Sequence, residues 1–402
     1  MTATNPTSAP PLSTQSTPIA WLQKNLFNGW FNSVLTLVLG SILAALFWTL
    51  LRWAFTEAQW RVIPANLPLY FVGRYPADQY WRLWLILGLI SLLGGLTWGS
   101  LARNVSVLFS RRALIVLGAL AVLAVITPTP VPFRLLMAGV ILICAVSAWA
   151  GRQLARKFPG LGSWISLAWL LSFFVVLWLL AGGFGLKNVS TNNWNGLLLT
   201  LFLAIVSTVL SFPLGVLLAL GRQSSLPIVR WVSTLYIELI RGVPLISILF
   251  MGQVMLPLFL PDEIRLDRVL RAVVALTLFT AAYLAENVRG GLQAIPRGQT
   301  EAAFSLGLNT PLTTAFIVLP QALKISIPSN VGQFISLFQD TTLVSIVGLL
   351  ELLGISRGVV SNPEFLGRQL EVYLFIGVLY WIFCYAMSLG SRKLEERLHT
   401  GH

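Results

Sequence analysis

Charged residues are scarce in this chain. Asp, Glu, Lys and Arg together supply 10% of its 402 residues, whereas a typical soluble domain has about 25%. Hydrophobic residues supply 56%, and the mean hydropathy is +0.80. A fold this apolar cannot cover itself with polar surface in water, so we expect its solvent to be lipid. The composition therefore argues against a soluble enzyme, a disordered protein and a disulfide-rich secreted domain.

The residues that most often carry chemistry are also few. Cys144 and Cys384 lie inside apolar stretches, where we expect small core residues rather than metal ligands or a disulfide. The two histidines, His399 and His402, lie in the C-terminal tail, and the spacing of Glu396 and His399 stands without further metal ligands. The sequence has neither a phosphate-binding G-x-x-x-x-G-K-[ST] loop nor a G-x-G-x-x-G motif. We therefore expect no catalytic residue, metal or cofactor in this chain.

Apolar blocks set the organisation of the chain. Residues 1–19 are rich in Ser, Thr and Pro and lack Lys and Arg, so we expect a disordered tail rather than a signal peptide. About ten blocks then approach the length of about 20 residues that a spanning helix needs. The third and fourth blocks are short and proline-flanked, so they could instead form one broken hairpin. The blocks are Phe31–Leu51, Leu83–Leu101, Ala113–Thr127, Leu135–Ala150, Trp164–Gly183, Gly196–Leu220, Val243–Leu260, Val269–Ala285, Val331–Leu350 and Val372–Leu389.

The charge of the chain is strongly basic. A net charge of +13 arises from 27 basic and 14 acidic residues, and the basic residues lie between the apolar blocks. This distribution favours cytoplasmic loops over nucleic-acid binding and places both termini inside. The clearest exception is the first outer loop, residues 52–82, which has four arginines and many aromatic residues. That loop suits either an interfacial belt or a surface that meets a periplasmic partner.

The loop after the eighth block is the most informative stretch. Thr300 is predicted to cap a short helix, with Glu301 at its positively polarised start and Ala302-Ala303 on one small face. Gly307 is predicted to end that helix in a left-handed conformation, and Thr310 to cap a second helix near the membrane surface. These features suit docking into a groove on another protein, and they equally suit an amphipathic connector at the membrane surface.

A family resemblance distinguishes these two interpretations. Glu301-Ala302-Ala303, followed after three residues by Gly307 and after nine more by Ile317-Val318-Leu319-Pro320, resembles the EAA loop of ABC importer permeases. In that family the loop is a coupling helix that docks on a separate ATPase subunit. The resemblance therefore implies ATPase-coupling roles for Glu301, Ala302, Ala303 and Gly307. It also implies an all-α integral membrane protein whose last five helices form a type I importer core.

Other stretches narrow the resemblance. Tyr236–Leu245 and Tyr283–Gly291 are similar to the polar amino-acid uptake branch, and Trp21–Phe27 is similar to the long permeases of general L-amino-acid and glutamate/glutamine systems. The implied partners are a second related permease, two ATPase subunits that bind ATP-Mg, a periplasmic amino-acid-binding protein and the lipid of a bacterial inner membrane, without nucleic acid. The expected organisation is a tail (1–19), an N-terminal membrane extension (20–190), a permease domain (191–393) with its EAA loop at 289–328, and a cytoplasmic tail (394–402).

Candidate path residues cluster near the ninth block. Asp340 is an acid inside an apolar block and is therefore a functional candidate, unless it caps a helix or bonds the neighbouring threonines. Gln339 stands where the family often has lysine, which puts a substrate-carboxylate role for that position in doubt. The candidates for the substrate path are Gln339, Asp340, Thr341 and Glu286.

Gate or structural roles are expected elsewhere. The i,i+3 spacing of Glu238 with Arg241, and of Glu286 with Arg289, predicts pairing on a helix face. Pro213 is expected to kink or loosen the sixth span. The candidates in this class are Glu238, Arg241, Pro244, Arg289 and Pro213.

The expected function is that of a permease subunit of an ATP-driven importer for L-amino acids, with ATP hydrolysis on a partner. The first alternative is an ion-coupled secondary transporter, which predicts inverted repeats and ionisable residues at the membrane midplane. The second is a membrane scaffold or sensor, which would need no docking helix. The first five blocks have no Asp or Glu within their apolar cores, which weakens the ion-coupled reading.

Overall fold

The computed structural model describes residues 17–398 except residues 106, 128, 159, 262 and 265. The first sixteen residues and the two histidines of the C-terminal tail lie outside this part, as does any pairing of Glu396 with His399. The chain forms two compact units, Met1–Trp60 and Arg61–His402, which are described separately.

The first unit consists of two helices. Helix α1 (Pro18–Asn25) starts after Thr17, whose hydroxyl accepts a hydrogen bond from the N–H of Ala20, so helix begins within the stretch expected to be a tail. Helix α2 (Trp30–Thr56) has 27 residues and no buried residue within the protein. A helix that is apolar on every side and exposed on every side is typical of one surrounded by lipid.

The second unit opens with the rest of the N-terminal extension. Helix α5 (Tyr80–Leu101) packs tightly on α7 (Val131–Lys157) through small residues. A Cβ on Gly99 would lie 2.0 Å from the carbonyl oxygen of Ala148, and one on Gly151 would lie 2.6 Å from that of Leu96. The helices are α3 (Val62–Ala65), α4 (Leu67–Val72), α5 (Tyr80–Leu101), α6 (Arg111–Ile126), α7 (Val131–Lys157) and α8 (Leu161–Ala181).

The contacts between α5 and α7 also show whether the third and fourth apolar blocks are separate helices or one broken hairpin. Residue 95 of α5 meets residues 144–148 of α7 and residue 99 meets residues 148–152, so the two helices run in the same direction. The chain must therefore cross back between them, and α6, with 16 residues, is about 24 Å long. The two blocks are separate helices rather than one broken hairpin.

The C-terminal helices pack around α13 (Arg268–Gln293), which is the most buried of the long described helices. It contacts α9 (Gly196–Arg222), α10 (Pro227–Gly242) and α16 (Leu319–Asp340). The core helices are α9 (Gly196–Arg222), α10 (Pro227–Gly242), α11 (Leu245–Phe250), α12 (Leu256–Phe259), α13 (Arg268–Gln293), α14 (Arg297–Ser305), α15 (Thr310–Thr313), α16 (Leu319–Asp340), α17 (Leu352–Val360) and α18 (Gln369–Leu398).

The number of membrane-crossing segments agrees with about ten. In the described residues, eight helices are long and apolar enough to span a bilayer, and α10 with α11–α12 adds a ninth as a pair bent by 102°. Helix α6 is shorter than these but returns the chain between two parallel helices. The expectation of about ten helices and an all-α fold is confirmed.

One span differs from its prediction. The ninth block was expected at Val331–Leu350, with a separate surface helix starting at Thr310. The structure instead has one long segment, Thr310–Ser345, that includes a π-helical stretch at Thr314–Val318. Prolines 311, 320 and 328 suggest breaks in the sequence. Pro311 and Pro320 lie in the first turns of α15 and α16, where a helix needs no N–H donor.

Candidate functional site

The short helix α14 stands out from the membrane-spanning helices. Pro296 precedes it, and Gly307 ends it with φ of +82°, the left-handed conformation predicted from the sequence. Ala303 is buried, whereas Glu301 and Ala302 are exposed. Phe304 and Leu306 are 47% and 82% exposed. The helix therefore presents one acid beside an apolar patch that no described residue of the chain covers.

Two details of the predicted caps are wrong. Helix α14 begins at Arg297, three residues before Thr300, so Thr300 is an interior residue and not a cap. The next helix is capped by Asn309, whose side-chain oxygen accepts a hydrogen bond from the N–H of Leu312 at 3.1 Å, and Thr310 is its first residue. Asn309 satisfies the free N–H that Thr310 was expected to satisfy.

A group of charged side chains lies above α14, near the end of α13 that leads into it. Glu286 of α13 accepts hydrogen bonds from Arg222 of α9 at 2.6 Å and from Arg289 at 2.7 Å. Arg241 of α10 lies 3.6 Å from the same carboxylate. The side chain of Glu286 is only 15% exposed. We call this set, with Glu238, the arginine network.

The arginine network confirms one predicted pair and alters the other. Glu286 pairs with Arg289 as expected. Glu238 pairs instead with Arg222, at 2.8 Å, while Arg241 lies over the ring of Tyr283 and approaches Glu286. The sequence places Arg222 only among the basic residues that lie between the apolar blocks. The available signal was only its position at the end of an apolar span, because its two acidic partners are 16 and 64 residues away in the sequence.

The arginine network lies beside a sharp bend between two consecutive helices. Helices α10 and α11–α12 meet at an angle of 102°, and Pro244 is the residue immediately before the second of them. Tyr236 ties α10 to α13, because its hydroxyl donates a 2.7 Å hydrogen bond to the carbonyl of Leu278. Discontinuous helices in membrane transporters occur where backbone lines a cavity or where segments move. Pro244 thus lies at a joint between fixed segments.

Asp340 is the last residue of α16 and is half-buried. Within the described part of the chain its carboxylate has no hydrogen bond and no ion pair. Thr341 donates to the carbonyl of Phe338 and Thr342 to that of Gln339, so neither threonine bonds Asp340, and the carboxylate caps no helix. Gln339 is exposed beside it, whereas Thr341 is fully buried.

Pro213 lies in the interior of α9, which continues through it as one helix from Gly196 to Arg222. The proline ring is exposed, and Gly215 two residues later packs against Leu284 and Ala281 of α13. Pro213 therefore faces away from the contact between the two core helices.

Glu351 is a residue that sequence reasoning missed. It is fully buried and caps α17, accepting hydrogen bonds from the N–H groups of Leu353 at 2.7 Å and Gly354 at 2.8 Å, while the hydroxyl of Tyr380 donates to it at 3.2 Å. Burial raises its pKa to about 7, and the two backbone donors oppose that rise. In the sequence it looks like an ordinary loop acid, because no local pattern reports that α9 and α18 cover it.

No group of three or more His, Cys, Asp or Glu side chains able to hold a metal ion is found among the residues that the structure describes. The features that the described residues do offer are a short exposed helix, a network of charged side chains, a bent helix pair and a half-buried carboxylate that has no partner among them.

Comparisons with known proteins show which family the chain resembles. Residues 211–400 match the family model described as binding-protein-dependent transport system inner membrane component. The inner membrane amino-acid ABC transporter permease protein YhdY of Escherichia coli (strain K12) is 38% identical over 96% of this chain and 94% of its own length. The glutamate/glutamine/aspartate/asparagine transport system permease protein BztC of Rhodobacter capsulatus is 37% identical over 96% and 94%.

A shorter relative covers only part of the chain. The probable glutamine ABC transporter permease protein GlnP of Bacillus subtilis (strain 168) is 36% identical over 51% of this chain and 92% of its own length. Long and short permeases thus share about half of this sequence. The comparisons give no support to the ion-coupled alternative.

Proposed function

The chain belongs to the permease subunits of binding-protein-dependent amino-acid ABC transporters, and from that premise we propose that it forms half of a two-permease path for polar L-amino acids in an inner membrane. ATP is hydrolysed on separate ATPase subunits, and a periplasmic binding protein delivers the substrate. The observation that carries the coupling part of this proposal is α14, with an exposed acid beside exposed Phe304 and Leu306.

The composition of α14 suits a protein partner. Exposed apolar residues next to a charge are typical of interface centres that a partner covers. The left-handed turn at Gly307 fixes the angle between α14 and the start of the next span. A shift of the ATPase surface under α14 would therefore move the spanning segment as well as α13.

The arginine network supplies the next step of the proposed mechanism. Helix α13 continues through Ala294–Pro296 directly into α14, and Glu286 lies about two turns above that junction. Through Arg222 and Arg241 it holds α9 and α10. Movement of α14 is thereby passed to three core helices and to the bend at Pro244.

Asp340 is proposed as a contact for the α-ammonium group of the substrate. An unpaired carboxylate at a half-buried position in a spanning segment is unfavourable on its own, and a bound ammonium group would compensate it. Gln339 beside it can donate to the substrate, although it lacks the positive charge that the family often has at this position. Both carboxylate oxygens of Glu286 are paired with arginines. Glu286 therefore suits a role in connecting the helices better than a role in contacting the substrate.

The test is amino-acid uptake into proteoliposomes that hold this chain, its partner permease and the ATPase, with binding protein and ATP. Glu301→Arg is expected to weaken ATPase association at least about tenfold and to abolish uptake, because it places an arginine against the surface that accepts an acid. Glu396→Arg makes the same charge reversal at an exposed position of α18 and should leave both readouts unchanged.

Two results would contradict the proposal. One is ATPase association that is equally strong in wild type and Glu301→Arg. The other is uptake by this chain alone under an ion gradient, indifferent to ATP.

A further inference from the structure

The first loop of the second unit is folded onto the permease core. Helices α3 and α4 pack against α9, α17 and α18. Tyr70 is fully buried, and its ring lies 5.3 Å from that of Phe375 of α18; Val62 is 1% exposed. This segment belongs to the extension, yet its side chains complete a hydrophobic cluster of the core.

The backbone contacts are as close as the side-chain contacts. Gly196, the first residue of α9, has φ of +61°, and a Cβ there would lie 2.5 Å from the carbonyl oxygen of Tyr70. Asn195 accepts a hydrogen bond from the N–H of Arg74 at 3.4 Å. The N–H of Gly196 in turn donates to the carbonyl of Leu350 just before α17. The loop, the start of α9 and α17 are therefore one fixed assembly.

This assembly lies across the membrane from α14. Helix α9 starts at the assembly with Gly196 and ends with Arg222, which bonds Glu286 near the junction of α13 and α14. The 27 residues of α9 span about 40 Å. The face that carries the loop is thus the one that a binding protein must approach when the ATPase lies on the other side.

The exposed surface of the assembly is basic. Arg61, Arg74 and Arg357 are exposed, and within the described part of the chain none of their side chains makes an ion pair. The nearby 3-10 turn Pro363–Phe365 contributes one exposed acid, Glu364. Asp78, the acid within residues 61–79, pairs with Lys187 at 3.2 Å. Among the described residues of this surface, three cations without an ion pair against one such acid leave an excess of positive charge.

From these observations we propose that residues 61–79 and α17, which we call the outer platform, dock an acidic surface of the binding protein. The inference rests on the proposed function. It gives the extension a task in the transporter: the loop enlarges and charges the surface that receives the loaded binding protein. A surface held by buried Tyr70 loses little conformational freedom on docking, which favours association. Arginines at its rim raise the association rate and make it sensitive to salt.

The experiment measures how ATP hydrolysis by the reconstituted full transporter depends on the concentration of binding protein. The variant Arg61→Glu/Arg74→Glu is expected to raise the half-saturating concentration about tenfold at low salt, which corresponds to about 1.4 kcal/mol. The difference should shrink at high salt, where surface charges are screened. The milder Arg74→Gln should raise the same concentration about threefold, and it answers the question if the double variant does not fold.

Arg112→Glu is the matched control. Arg112 is an exposed arginine in the first turn of α6, on the side of the membrane where α5 ends and α14 lies. The half-saturating concentration of binding protein for the Arg112→Glu transporter should equal that for wild type.

The outcomes separate the two proposals. An unchanged half-saturating concentration in both platform variants, with normal ATPase association, would overturn the outer platform and leave the proposed function standing. Wild-type hydrolysis that no binding protein stimulates would overturn the proposed function and the platform with it.

Discussion

Glu286→Gln is the substitution whose effect the structure defines most closely. The wild-type carboxylate has contacts of 2.6, 2.7 and 3.6 Å to three arginines, and its side chain is 15% exposed. A neutral amide leaves these three guanidinium groups facing one another. Removing one partner of a buried ion pair costs about 3–5 kcal/mol, so we expect a loss of about 3 kcal/mol or more in the free energy of unfolding.

Glu238→Gln is the matched control, because it makes the same chemical change on the other side of Arg222. The side chain of Glu238 is 57% exposed, and its pair with Arg222 measures 2.8 Å. Exposed pairs contribute about 0–1 kcal/mol. Arg241→Gln, at 3.6 Å and 36% exposed, should likewise lose less than about 1 kcal/mol.

The assay is equilibrium unfolding of the purified chain by SDS in mixed micelles, followed by the ratio of ATP hydrolysed to amino acid transported in the assembled transporter. Glu286→Gln should unfold at lower SDS and hydrolyse more ATP per amino acid than Glu238→Gln, because α13 no longer holds α9 and α10. Equal stability and equal coupling in the two variants would refute the reasoning about the network.

Three further predictions concern packing and protonation. Gly99→Leu places a Cβ 2.0 Å from the carbonyl oxygen of Ala148 and should destabilise the α5–α7 pair by about 1–3 kcal/mol. Gly94→Leu has open space around the new Cβ and should not destabilise the pair. Equal effects of the two substitutions in SDS unfolding would contradict the packing. Tyr70→Ala should cost about 3–5 kcal/mol because the ring is fully buried, whereas Phe71→Ala, at 40% exposed, should cost much less in the same assay. Burial raises the pKa of Glu351 from 4.5 to about 7, so the folded state holds a proton that the unfolded state has lost. The free energy of unfolding should then fall by about 3 kcal/mol as the pH rises from 4.5 to about 7. In unfolding measured against pH, Glu351→Gln should remove this dependence, while Glu364→Gln should keep it.

The sequence predicted correctly the features that depend on residues close together in the chain. The apolar blocks predicted an all-α membrane protein, since a continuous apolar run of about 20 residues has the length of a spanning helix, which satisfies its own backbone hydrogen bonds. The turn at Gly307 followed from the need for a left-handed residue after α14. The pairing of Glu286 with Arg289 followed from i,i+3 spacing.

Other features depended on which helices meet. The ninth span was misplaced because its prolines look like breaks, although two of them lie in first turns where a helix needs no donor. Glu238 was expected to pair with Arg241, yet Arg222, sixteen residues away in sequence, lies closer once α9 and α10 pack together. Asp340 was left with two interpretations, and only the positions of Thr341 and Thr342 showed that its carboxylate has neither as a partner.

The sequence by itself determined the solvent, the helical class and the end of α14 at Gly307, because each depends on composition or on residues within a few turns. Tertiary structure alone decided that Arg222 pairs with both Glu238 and Glu286, that Glu351 is buried, and that Tyr70 fixes the first loop to α17 and α18. These three residues are ordinary in their local stretches. Their environments are made by helices far away in the chain, and burial and electrostatic pairing are properties of that assembly.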